Sequence, residues 1–161
     1  MSSIPPLGPR GEGWVVLQFG CLLLVLVALW TAPPAAESEL ADLAEVAGYG
    51  VGMAGAVLFG AGIAELRRVR ALTALPFPGD DATFVQRGPY RLLRHPIYVG
   101  LVLGALGLAL LSPWAGTFAA VGLLAVVLDL KRRREEAWLL ERYPDYDAYR
   151  RRTKALVPFV Y

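Results

Sequence analysis

The chain has a single cysteine, Cys21, and a single histidine, His95. One cysteine excludes an intrachain disulfide and any metal site built on clustered thiolates, and its place inside an apolar run suits a small packing residue. One histidine and no HExxH pattern argue against a metal centre. Serine occurs only at Ser2, Ser3, Ser38 and Ser112, outside the charged stretches, so a Ser–His–Asp triad has no nucleophile. Charge is also scarce: 19% of the 161 residues are Asp, Glu, Lys or Arg, against 56% hydrophobic. The net charge of +2 gives no reason to expect a nucleic-acid partner.

What is present is a set of long uncharged runs separated by charged segments, the pattern of an all-α integral membrane protein. WVVLQFGCLLLVLVALW, residues 14–30, approaches the length needed to cross a bilayer, carries one Gln, and has tryptophans at both ends. It is followed by APPAA, but the later apolar segments favour a retained first helix over a cleaved leader. The second run, residues 46–66, is rich in glycines at small-xxx-small spacing, which let helices approach closely. Gly50, Gly52 and Gly55 match GxGxxG, but without a preceding strand this is packing and not a nucleotide loop. Two shorter runs, 98–111 and 115–130, are joined by SPW and read as a tight hairpin, with the last helix continuing to about residue 143 before Pro144. The expectation is one membrane domain over 1–161. It has N-terminal helices in 1–75 and a functional half in 76–161, with helices near 96–111 and 115–143 and a further C-terminal helical segment. Basic residues crowd the 67–94 loop and residues 131–134, whereas the 31–45 loop carries only acids. The positive-inside rule therefore puts both termini and every chemically rich stretch on the cytoplasmic side.

Three of those stretches carry candidate chemistry. In RGPYRLLRHPIYVG, Pro96 fits a first helical turn and holds His95 out of the helix. The N–H groups of Ile97, Tyr98 and Val99, with Arg94 and His95 beside them, form a candidate anion site, and Gly100 allows a ligand or another backbone to come near. The competing reading leaves Arg94 and His95 at the lipid headgroup level. In KRRREEAWLLERY, the i,i+4 pairs Lys131–Glu135 and Arg132–Glu136 read either as a solvated ion-paired face or as a carboxylate offered to a ligand, and Asp129 can pair with Arg133. In YPDYDAYRRRT, Tyr143, Tyr146 and Tyr149 recur every third residue and read as interfacial packing. Asp145 and Asp147 read as turn and surface charge, and the arginines can attract anionic lipid.

GPYRLLRHPIYVG, the helix pair after it, EEAWLLERYPDYDAYRRRT and the terminal LVPF together resemble the isoprenylcysteine carboxyl methyltransferase family, which groups with the integral-membrane phospholipid methyltransferases. The resemblance runs from about Pro76 to Tyr161. It implies methyl transfer from S-adenosyl-L-methionine at the cytoplasmic face of the plasma membrane of a prokaryote. The acceptor would be lipophilic or small, a carboxylate, amine or thiol, with membrane lipids as neighbours and no metal. By motif match Val85, Tyr90, His95, Pro96, Ile97, Tyr98 and Glu135 would line the cofactor pocket, and the residues around them add Arg94, Gly100 and Glu136. Lys131 and Arg152 would meet substrate, and Glu135 and Arg152 are the catalytic candidates. A non-enzymatic four-helix scaffold or transporter subunit is the competing class. Polar groups at mid-membrane would favour it, and in the apolar runs Gln18 is the main one.

Overall fold

The computed structural model describes residues 4–35, 37–75, 77 and 84–156. Parts of the 67–94 loop and of the terminal LVPF segment, with Ser2, Ser3 and Pro76, lie outside the described residues. Among the described residues five α-helices carry the fold: α1 (Glu12–Thr31), α2 (Glu39–Arg68), α3 (Pro96–Leu111), α4 (Ala115–Arg142) and α5 (Tyr146–Arg152). A 3₁₀ turn spans Gly88–Arg91, and among the described residues there is no strand, only a parallel bridge between Leu93 and Lys154.

The helix ends follow local chemistry. α2 starts seven residues before the apolar run because the Ser38 hydroxyl accepts the Ala41 N–H at 3.1 Å, and Glu39 and Asp42 sit where the first turn's unpaired N–H groups favour acids. α3 opens on Pro96, whose missing N–H costs nothing there. α4 runs through the charged KRRREE stretch and ends at Arg142, before Pro144.

α2 and α3 pack antiparallel through glycine. Gly48, Gly55 and Gly62, seven residues apart and all buried, face Gly107, the Gly100–Gly104 turn, and Ile97, in that order. A Cβ on Gly55 would come within 2.5 Å of the Gly104 nitrogen and 2.8 Å of the Gly100 carbonyl oxygen, so only hydrogen lets the backbones meet. Gly55→Ala should therefore destabilise the protein by about 1–3 kcal/mol. Gly50→Ala, whose Cβ would meet nothing within 4 Å, should be neutral or slightly stabilising. Thermal unfolding of the two variants in detergent checks this pair.

α4 packs on α1 and on α3, and Val25, Ala28, Ala105, Ala109, Leu124 and Leu128 are among the buried residues of that core. Cys21 is buried there as a free thiol. α1 and α2 are each long and apolar enough to cross a membrane, and most of their apolar side chains point outward, Val16, Leu23, Val46 and Met53 among them. α3, at 16 residues, is apolar but shorter. α1 makes no contact with α2 comparable to those that α2 makes with α3 or α1 with α4. A space stays open between them, and it leads into the site.

Candidate active site

Where α3 begins and the charged half of α4 passes it, the helices enclose a cavity of about 610 Å³. One end is polar and aromatic, with Glu135, Lys131, Arg94 and His95 among Tyr90, Tyr98, Tyr143, Tyr146, Tyr149 and Phe84. The other is apolar, walled by Phe19 and Leu22 of α1, Phe59 and Ile63 of α2, and Leu101 of α3.

The polar end is built on α4 side chains that turn inward. Lys131 is only 1% exposed, and its ammonium donates to Gln18 Oε1 at 2.6 Å and to the Ala74 carbonyl at 2.8 Å while lying 5.3 Å from the centre of the Tyr98 ring. Glu135 accepts the Tyr98 hydroxyl at 2.8 Å and is the carboxylate that faces the cavity. Tyr98 in turn stacks on His95, with ring centres 5.3 Å apart and planes 9° from parallel.

Glu136 does different work. It is buried, points away from the cavity, and accepts from Arg94 Nε at 2.9 Å and stands 3.0 Å from His95 Nε2, with Arg132 at 3.7 Å. Burial alone would raise its pKa, but the hydrogen bonds and charges of His95 and Arg94 outweigh that and hold the carboxyl at about 2. The other side of the Arg94 guanidinium donates to the carbonyls of Arg150 and Thr153. Main-chain bonds extend the seam: Arg94 N–H to Lys154 O, His95 N–H to Ala155 O, and Lys154 N–H to Leu92 O. The stretch after α5 is thus strapped along residues 92–95, and Glu136 anchors the strap to α4. The Tyr149 hydroxyl adds a buried bond of 2.7 Å to the Tyr90 carbonyl. Tyr149→Phe should cost about 1 kcal/mol in denaturant unfolding, since it strips a buried carbonyl of this donor.

Of the residues singled out from sequence, Val85, Tyr90, Arg94, His95, Ile97, Tyr98, Lys131 and Glu135 line one cavity. Four do not. Glu136 lies behind His95. Pro96 is buried under α2, where Gly62 sits over it. Gly100 admits a backbone and not a ligand: a Cβ there would lie 2.7 Å from the Phe59 nitrogen. Arg152 is exposed and donates to the Ala148 carbonyl and, at 3.4 Å, to Gln86. The expected anion site at the start of α3 is also not offered to a ligand. The Tyr98 and Val99 N–H groups bond to the His95 carbonyl, and α2 covers the turn. The solvated reading of KRRREE fails for Lys131, Arg132 and Glu136, which are all buried, whereas Arg133 does pair with Asp129, at 2.7 Å. Asp147 pairs with Arg151 at 2.6 Å, as a surface charge would. Among the described residues no group of three or more His, Cys, Asp or Glu could hold a metal ion.

Sequence reasoning missed the aromatic wall and the contribution of α1. The tyrosines at every third residue meet Phe84, whose ring lies 5.3–5.6 Å from Tyr143, Tyr146 and Tyr149. Gln18 had a signal, as the lone strongly polar side chain in its run.

Residues 43–146 match the model of the phospholipid methyltransferase family. The chain belongs to that family. The matched stretch holds α3, nearly all of α2, all of α4, and most of the cavity lining. Two curated relatives are similar over the same kind of length. The cobalt-zinc-cadmium resistance protein CzcN of Cupriavidus metallidurans is 38% identical over 77 residues, which is 47% of this chain and 36% of that protein. The nickel-cobalt-cadmium resistance protein NccN of Alcaligenes xylosoxydans xylosoxydans is 37% identical over 92 residues, 55% of this chain and 43% of that protein. The alignments thus cover less than half the length of either relative. Membership places the chain in a family of membrane methyltransferases.

Proposed function

We propose that the protein transfers a methyl group from S-adenosyl-L-methionine to a lipophilic or small acceptor inside this cavity, at the cytoplasmic face of the membrane. The observation that carries the reading is Glu135, a carboxylate presented inside an aromatic-walled chamber that continues into an apolar space between α1 and α2. The donor set fits the cofactor. Tyrosine faces suit a sulfonium cation, Glu135 suits an ammonium or ribose hydroxyls, and Lys131 suits a carboxylate. When bound, the cofactor supplies a methyl group on positively charged sulfur. The chain's residues bind and align it, and Phe84, Tyr146 and Tyr149 help exclude water.

The same reading has four helices crossing the bilayer, with both termini and the cavity on the cytoplasmic side of a prokaryotic plasma membrane. The outward apolar faces of α1 and α2 and the basic residues around Arg67, Arg68 and Arg133 support it. Phe19, Leu22, Phe59 and Ile63 then lie at bilayer depth, where an apolar tail can enter from the side. The test incubates purified protein with S-adenosyl-L-methionine labelled in its methyl group and an extract of the source membranes. Labelled product that depends on the protein and disappears with Glu135→Ala is expected. Absence of transfer to any lipid or small-molecule fraction would count against it.

A further inference from the structure

The chain's one histidine sits between two carboxylates that hold it unequally. His95 Nε2 is 3.0 Å from Glu136 Oε1, within hydrogen-bond reach, whereas its Nδ1 is 3.9 Å from Glu135 Oε2, beyond it. Glu136 is surrounded by Arg94 and Arg132 as well as the ring, and an ionised carboxylate can only accept. Nε2 therefore carries a hydrogen, and Nδ1 is the ring nitrogen on the side of Glu135 and the cavity, whose wall includes His95. The ring cannot easily turn away. The ring stacks on Tyr98, and the backbone that carries it is held on both sides, its amide N–H donating to the Ala155 carbonyl and its carbonyl accepting the N–H groups of Tyr98 and Val99. A buried carboxylate that fixes the tautomer and direction of a histidine facing a binding cavity is the arrangement that prepares a general base.

We propose that His95 Nδ1 takes the proton from the methyl acceptor, with Glu136 as its positioning residue, and that the acceptor is accordingly an amine or a thiol. This rests on the methyl-transfer reading above. A carboxylate acceptor would need no base. In the step, the acceptor's nitrogen or sulfur forms its bond to the methyl carbon. The carbon–sulfur bond to the sulfonium breaks with its electron pair staying on sulfur, and the acceptor's proton passes to Nδ1. The resulting imidazolium is flanked by Glu136 at one nitrogen and Glu135 at the other. Glu135 and Glu136 from α4, Tyr98 from α3 and Arg94 from the adjoining loop are the groups around the ring, with Arg132 behind Glu136.

Because His95 is the only histidine, protein labelled with ¹⁵N-histidine gives one imidazole, and two-bond ¹H–¹⁵N spectra read its tautomer without assignment. At about pH 7.5, near the range where a base must be free, the expected result is a neutral ring with hydrogen on Nε2 and none on Nδ1. Glu136→Gln, whose amide can either donate or accept, should let the second tautomer appear. A wild-type ring with hydrogen on Nδ1, or with both nitrogens protonated at that pH, would overturn the proposal. So would a tautomer that Glu136→Gln leaves unchanged. The spectra are taken without cofactor, so they stand apart from a failure of cofactor binding, which would remove the methyl-transfer reading itself.

Discussion

Glu135→Ala should weaken binding of S-adenosyl-L-methionine by about 2–3 kcal/mol, roughly 30- to 150-fold, with little change in unfolding temperature. The size follows from removing a carboxylate that lines the cavity and whose charge strengthens the hydrogen bonds it accepts. The small effect on folding follows from its surroundings. Glu135 bonds to Tyr98 and lies near His95, so its loss costs the fold one hydroxyl partner. Glu141→Ala, on the exposed part of the same helix, is the control and should bind as wild type. Calorimetric titration of the three proteins in one detergent measures the differences. Affinity for Glu135→Ala within about threefold of wild type, under 1 kcal/mol, would remove Glu135 from the cofactor site.

The neighbouring carboxylate should show the opposite behaviour. Glu136→Ala leaves the partly buried Arg94 without its carboxylate, takes one from Arg132, and frees the His95 ring, so it should destabilise the protein by about 3–5 kcal/mol. The seam between residues 92–95 and 153–156 should loosen first, seen as faster amide exchange at Arg94 and Lys154. The acid sensitivity of the fold has the same origin. The Glu136 carboxyl is held at about 2 in the folded protein, against an ordinary glutamate value of 4.5. The unfolded chain therefore binds the proton more readily. The stabilisation is complete above about pH 4.5 and is lost as pH falls from there towards 2, a span worth on the order of 3 kcal/mol. Unfolding followed between about pH 6 and pH 3 should show this loss in wild type and not in Glu136→Gln.

Adjacent acids with opposite roles mark where sequence reasoning stops. The spacing Lys131–Glu135 and Arg132–Glu136 is the spacing of exposed ion pairs, and nothing local says that residues 92–95 lie across α4 and bury it. Helix ends were more legible. α3 starts at Pro96 as expected, and α4 continues through its charged half to the turn before Pro144 because no residue there breaks a helix. α2 begins earlier than its apolar run, since Ser38 and the acids after it form a helix start that hydropathy ignores. Of the α2 glycines, Gly48, Gly55 and Gly62 do pack, at a spacing of seven against α3 that needed the structure, whereas Gly50 and Gly60 meet nothing within 4 Å. Val85, Tyr90, Arg94, His95, Ile97 and Tyr98 do converge on one cavity, together with Lys131 and Glu135, whereas Pro96 does not. The cavity's length and its apolar arm could not be read, because Gln18, Phe19 and Phe59 come from helices without a motif.

The central claim is that this cavity holds a methyl donor, and it has a direct test. Detergent-purified wild-type protein is titrated calorimetrically with S-adenosyl-L-methionine and with its demethylated product, while circular dichroism confirms that the helices persist. One site per chain for each compound, with product competing against donor, is the predicted result. A folded protein that binds neither would contradict the account.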